Sequence, residues 1–474
     1  MNITSTVAHF VAESRLDRIA EPVRDEAVRA LVDWLGCCLG GCLDPALDAI
    51  NDAPKFTLDD SEATLPGRGS RSDLASAVLR SAIASEALDF GATHAPSGAA
   101  VSVPVVAALL PLAEARAASG ADMVHAYVLG AEIICRLAQA LNDASFTGDS
   151  RAHVACACIG AATACGKLLG LDAARLAHAI GIAASDLGAI DAADSAAGLF
   201  ARFGDDGSRV DDRVQLAAAA RSGLTAALLA QRDTANRISP LAGGQGLFAL
   251  LEQLASAEML LHGLGEEWHL ARIAYKPYPC DSTLHAAIEA SLNVRTRHRP
   301  LARHITQIEL HAHPSVLARA STQAPTNAAQ ARRSLQHAVA VTLIDGAAGL
   351  EQFGGRRIAA ARVAEMRSRI ELRGDDRLPP EGARILLRLL DGRVVEHSVR
   401  CARGHPARPL SDGELSDKFR SLAAELLATD QAERLLALAW NVRALADIGA
   451  LVRASVPDEV LDPAELPGSP LIPR

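Results

Sequence analysis

The sequence predicts a mainly α protein, with a large all-helical domain and a smaller α+β lid domain. Three observations carry that expectation. Of the 474 residues, 49% are apolar but only 3% aromatic, so the buried mass is chiefly Ala, Leu, Val and Ile, which suits closely packed helices. Up to about residue 265, apolar residues recur at helical spacing. Beyond about residue 270, period-two alternation appears. One core rarely grows past about 250–300 residues, so two domains are expected. The helical domain is placed at 1–268 and completed by 412–456. The α+β domain is placed at 269–411, and the proline-bearing tail 457–474 is read as irregular.

Each element has its own reason. Segment 25–43 repeats apolar residues at i, i+3, i+4 and ends at a Gly pair, a natural stop. Segment 76–90 is a second amphipathic helix that runs into the turn-rich GATHAPSG. Helix 101–118 follows, and Ser119-Gly120-Ala121-Asp122 is an N-cap pattern opening 119–143. Segment 154–170 is small and apolar on nearly every face, which marks a buried central helix. Segments 173–190 and 214–231 repeat the style. In the second domain, 305–313, 367–374 and 383–400 read as strands, the last a hairpin turned at Asp391-Gly392. Helices are expected at 280–293, 327–350 and through 414–454.

Composition also limits function. The net charge is −9, the wrong sign for a nucleic-acid or anionic-membrane binder, so neither partner is expected. No uncharged apolar stretch reaches the roughly 20 residues that span a bilayer, and no secretory leader is legible. Nine cysteines, odd in number and mostly in apolar helical contexts, suit reduced thiols, and the expected location is cytoplasmic. Only four lysines occur, Lys55, Lys167, Lys276 and Lys418, against 43 arginines. Codon bias explains the scarcity, and a lysine that survives at a suggestive place gains weight.

Metal chemistry finds little support. His311 and His313 would face one way on a strand but lack a third ligand, and the His153, Cys156, Cys158, Cys165 spacing matches no zinc pattern. No nucleotide-binding glycine motif and no GxSxG elbow is present. Acid–base work by side chains alone remains, and no metal or cofactor is expected. Two stretches could carry it. In Asp89-Phe90-Gly91-Ala92-Thr93-His94-Ala95-Pro96-Ser97-Gly98, a helix ends and an Asp, a Thr and a His project from a Gly/Pro-rich turn, a place to present a general base. In Tyr275-Lys276-Pro277-Tyr278-Pro279-Cys280-Asp281-Ser282-Thr283-Leu284-His285, a lysine stands before a helix start at the domain junction, which suits an anion. A rigid turn and a rigid hinge are the plain structural alternatives.

The chain resembles the MmgE/PrpD family. The resemblance rests on ALVDWLGCCLGG, on ALDF with the following TH and SGADMVHAYVLGAEIICRL, on GAATACGKLLGLDAARLAHAIGIAAS and on KPYPCDSTLHAAIEA. ARSGLTAALLAQ and RRSLQHAVAVTLIDG agree as well. It implies a helical domain plus a lid, a homodimer, no metal or organic cofactor, and a site between the domains for a small-molecule carboxylate. By residue, it implies that Asp89, Thr93, His94 and His285 serve catalysis. Lys276, Arg213, Arg151, His153 and Tyr278 would bind substrate. His94 stands five residues after Asp89, where relatives space the pair about ten apart, so the loop is read as shortened. Arg151 stands where relatives carry a His, and Asp212 where many carry a Lys.

The expected reaction is dehydration of a small hydroxy-polycarboxylate such as a 2-methylcitrate-like acid. His94 would move the proton α to a carboxylate, oriented by Asp89 or Thr93. Nearby cations would stabilise the carbanion. His285 or Tyr278 would help hydroxide leave. The loss of a cation at Asp212 points to a less anionic substrate. Decarboxylation, epimerisation and a non-catalytic dimeric relative are the alternatives.

Overall fold

The computed structural model describes residues 3–44, 47, 62–142, 150–185, 212–232, 257–320 and 322–458. Contacts divide the chain into two units. The first holds Met1–Ala87, Gly91–Ile273 and Asp412–Arg474, and the second Leu88–Phe90 and Ala274–Ser411.

The described part of the first unit is a pack of helices: α1 (Ile3–Glu13), α2 (Glu21–Gly41), α3 (Leu74–Glu86), α4 (Ser102–Ala115), α5 (Gly120–Asn142), α6 (Ser150–Leu168), α7 (Ala173–Ser185) and α8 (Asp212–Gln231). Each start and stop follows local chemistry. Pro22 sits in the first turn of α2, where its missing N–H costs nothing. The Asp73 carboxylate caps α3 by accepting from Ser76 N. Ser119 Oγ accepts from Asp122 N at 3.1 Å at the start of α5, as the sequence predicts.

Helix α6 is central, with Ala155, Cys156, Cys158, Ala161 and Cys165 fully buried. Small residues let its neighbours come close. A Cβ on Gly130 of α5 would lie 2.6 Å from Gly160 O of α6, so the two helices cross where neither has a side chain. All nine cysteines are free thiols. By length and composition α5 could cross a membrane over Gly120–Leu141, but it is 89% buried inside the protein, which makes it a core helix.

The second unit has α9 (His285–His298) against a four-stranded sheet, with α10 (Leu335–Asp345) packed on α9: the strands are β1 (Ile305–Ala312), β2 (Ile370–Gly374), β3 (Ala383–Leu389) and β4 (Val394–Val399). The strand order is β2-β1-β3-β4. Strand β1 runs parallel to β2 and antiparallel to β3, and β4 closes the hairpin with β3. The alternation read from the sequence is the burial pattern itself: Ile308, Leu310 and Ala312 point inward, joined by Ile385, Leu387, Val395 and Val399. Gly392 takes a left-handed φ of 83° at the expected turn. The chain then returns to the first unit through α11 (Asp412–Ala423) and α12 (Thr429–Trp440).

Several expected elements are trimmed. The helix read at 76–90 stops at Glu86, because Asp89 takes a left-handed φ of 50° that no helix continues. The stretch 327–350 is cut by Ser334, which caps α10, and by Gly346, whose φ of 76° ends it. Residues 367–368 finish a helix, Ala361–Ser368, before β2 begins. By contacts the first unit runs to Ile273, and Glu132 of α5 accepts from His269 N and Leu270 N in its last turn.

Candidate active site

In the first unit the site begins with a buried charge. Asp33 of α2 is 2% exposed and pairs at 2.7 Å with Lys418 Nζ of α11. Its second oxygen accepts from Ala92 N at 3.2 Å, which fixes the chain two residues before His94. A buried carboxylate is tolerated when paired and hydrogen-bonded, and here the pair also serves as an anchor.

His94 opens a tight turn. Its N–H donates to Ala99 O at 2.9 Å, and its carbonyl accepts from Gly98 N at 2.7 Å. The imidazole is fully buried. Nδ1 lies 2.8 Å from Ser97 Oγ, whereas Nε2 has no hydrogen-bond partner among the described residues. Burial, then the nearby His269 and Arg272, pushes the imidazole pKa down to about 3. The ring is therefore neutral near pH 7, with one nitrogen open to accept a proton. Thr93, half-buried, makes a backbone bridge to Ala100.

The facing turn, His269–Arg272, hangs from α5. Glu132 and Arg136 form a buried i,i+4 pair at 2.6 Å. Glu132 accepts from His269 N at 3.1 Å and Leu270 N at 2.9 Å, and Arg136 donates to the carbonyls of Leu260, His262, Gly263 and Glu267. Ala95 N donates to Arg272 O at 3.1 Å, tying the two turns together. The rings of His94 and His269 stack at 6.3 Å with 24° between planes.

In the second unit, Lys276 is 6% exposed and its ammonium is held by the Asp89 carboxylate and, at 3.2 Å, by Asp89 O. Two prolines hold the loop that follows. Tyr278 packs edge-on to His285, with ring centroids 5.5 Å apart and planes at 84°. Burial chiefly pushes the Tyr278 phenol up to about 12, so it keeps its proton at neutral pH. His285 Nε2 lies 3.3 Å from Cys280 O and, with a carbonyl opposite, is the protonated nitrogen. Asp281 caps the next turn through Thr283. Burial pushes its carboxyl up, but Lys276, Thr283 and Arg319 outweigh that and hold it below the usual range.

The loop depends on one glycine. Tyr275 N donates to Gly404 O, and Gly404 has a φ of +92°. A Cβ there would lie 2.0 Å from Tyr275 O. Gly404→Ala is therefore expected to lower stability by about 2–4 kcal/mol, from left-handed strain plus the clash. Urea unfolding checks this, and a parental midpoint would show that the loop yields cheaply.

The structure thus unites Lys276 with Asp89, and Tyr278 with His285. Asp89, expected with Thr93 as the group to orient His94, pairs with Lys276, and Ser97 Oγ lies 2.8 Å from His94 Nδ1. Arg213, expected on substrate, stands 3.2 Å from Asp44 in an ion pair, and His153 lies half-buried on α6. The side chains of Arg151 and Asp212 lie outside the described residues. Sequence reading missed His269, Asp33, Lys418 and the Glu132–Arg136 pair, although two charges inside an otherwise apolar helix were a usable signal.

The MmgE/PrpD N-terminal domain matches residues 5–259, and the MmgE/PrpD C-terminal domain matches residues 278–444. The chain belongs to the MmgE/PrpD family. It is 26% identical to the cis-aconitate decarboxylase of Mus musculus over 486 residues, which covers 97% of this chain and 95% of that protein. The cis-aconitate decarboxylase of Homo sapiens is also 26% identical, over 97% of this chain and 96% of its own. That of Aspergillus terreus is 24% identical over 95% of each. The match is thus to a lyase-type family along nearly the whole chain.

Proposed function

We propose that this chain is a cofactor-independent lyase that removes a proton α to a carboxylate in a small hydroxy-polycarboxylate and expels water. The observation that carries the reading is His94: a buried, neutral imidazole with Nδ1 on Ser97 and Nε2 open. A general base needs a free lone pair and an oriented ring. In the reaction Nε2 takes the α proton, the C–H electrons form the new double bond, and hydroxide departs as water with the proton of the Tyr278 phenol. Lys276 binds the carboxylate that spreads the developing charge. Asp281 shares the Lys276 field with Asp89, which leaves less positive charge for substrate and supports a dicarboxylate over a tricarboxylate.

A second reading is favoured by the relatives' names: decarboxylation of a cis-aconitate-like acid. The C–C electrons would then remain on carbon as carbon dioxide leaves, and the carbanion would take a proton. His94, neutral at rest, has none to give, so the Tyr278 phenol would be the donor. Incubation with a panel of di- and tricarboxylic acids, followed by mass spectrometry, separates the readings. Loss of water is the expected result. Loss of carbon dioxide installs the second reading, and no turnover of any acid removes both.

A further inference from the structure

His269 is not among the residues that the resemblance marks as functional, yet among the described residues its ring stacks beside that of His94. We infer that His269 is a positioning residue for His94: its stacked ring fixes the His94 plane and, as the more exposed of the two, takes the pair's first proton, leaving His94 Nε2 unprotonated. The inference rests on the reading of His94 as proton acceptor.

The geometry supports each part. The rings are nearly parallel with centroids 6.3 Å apart, within the range of interacting ring pairs, so the face of one lies beside the face of the other. Both backbones are clamped, His94 through Ala92 on Asp33 and Ala95 on Arg272 O, His269 through its N–H on Glu132. Two imidazoles this close titrate as a pair, since a second proton meets the charge of the first. His94 is fully buried and His269 only partly, and charge favours the better-hydrated ring.

Among the described residues, the charged groups near His94 are paired or act in the same sense. Asp33 behind Ala92 is neutralised by Lys418, and Glu132 behind His269 by Arg136. Glu86 of α3 reaches the neighbourhood of Gly91, and Ser97 is uncharged. Arg272, on the same turn as His269, adds to the positive field that lowers the His94 pKa.

The test uses the full chain with ring-labelled histidine and follows His94 by NMR across pH, alongside the pH profile of kcat/KM. In His269→Phe, which keeps a stacked ring without a charge, His94 should titrate about one to two pH units higher than in the parent. The acid limb of kcat/KM should move up with it. His269→Ala should lose about tenfold in kcat, because the ring is no longer held, and Phe should restore that loss. His269→Gln gives an uncharged polar variant should Phe fail to fold. A His94 titration unchanged in the folded Phe or Gln variant overturns the inference. The NMR readout needs no turnover, so a shifted His94 in a protein whose His94→Ala variant keeps full activity would sustain the coupling and defeat the catalytic reading instead.

Discussion

Replacing Lys276 by methionine is expected to lower kcat/KM by about 10²–10³-fold while leaving the fold nearly intact, which is the loss typical of removing one preorganised charge from a developing anion. The expectation follows from what the lysine faces. Its side chain is 7% exposed and sits against Asp89, whose side chain is 26% exposed. Once the lysine is gone, water can still reach Asp89, so the stranded carboxylate costs little. Lys418 makes the contrast. Its partner Asp33 has a side chain with no exposure, and Lys418→Met should cost about 3–5 kcal/mol by leaving that charge buried and alone. Urea melts and kinetics on the two variants separate the roles. Lys276→Met should keep its midpoint and lose turnover, and Lys418→Met should lose midpoint first. Full kcat/KM in Lys276→Met would remove it from the site.

The two lysines also show what the sequence could and could not tell. Their rarity was legible, and so was the odd company of Lys276 in a Pro-stiffened loop. Neither property names a partner. Lys418 meets Asp33 across 385 residues of chain, a distance no local pattern reports. Helical spacing and strand alternation set which face of each element is buried, so α2, α5, α6, β1 and the β3–β4 hairpin were readable from residue order. They do not set what lies opposite, so the stacking of His94 on His269 was not. Asp89 shows the remaining kind of limit. Its left-handed φ is unfavourable for a side-chain-bearing residue and is held by the Lys276 contact, so the helix ends early for a tertiary reason. Lys167 completes the pattern, since its ammonium donates to the carbonyls of Val11, Ala12 and Ser14 at the end of α1. Each lysine among the described residues thus has a defined set of partners, two structural and one beside the candidate chemistry.

His94→Ala is expected to reduce turnover by about 10²–10⁴-fold, the usual worth of a positioned general base. The same substitution should change how stability depends on pH. The folded-state imidazole lies at about 3, against an ordinary value of 6.5 in the unfolded chain. Above 6.5 both states are neutral there, and the group has no effect. As pH falls below 6.5 the unfolded chain takes up a proton that the folded protein refuses, so stability drops by about 1.4 kcal/mol per pH unit until the folded pKa is reached. Over that window His94 alone accounts for a loss on the order of 5 kcal/mol. His125, pushed down to about 4 mainly by burial and then by Lys167, adds in the same direction. Denaturant unfolding of parent and His94→Ala at a series of pH values between 7.5 and 4 reads the difference. The variant should begin less stable near neutral pH, because a buried ring has left a space, and should then lose stability with acid more slowly. Equal acid slopes in the two proteins would mean that the folded protein takes up a proton at His94 as readily as the unfolded chain does, so that the fold does not hold the ring neutral in acid. The activity loss and the flatter acid slope therefore stand on one physical property, a ring that the fold keeps neutral.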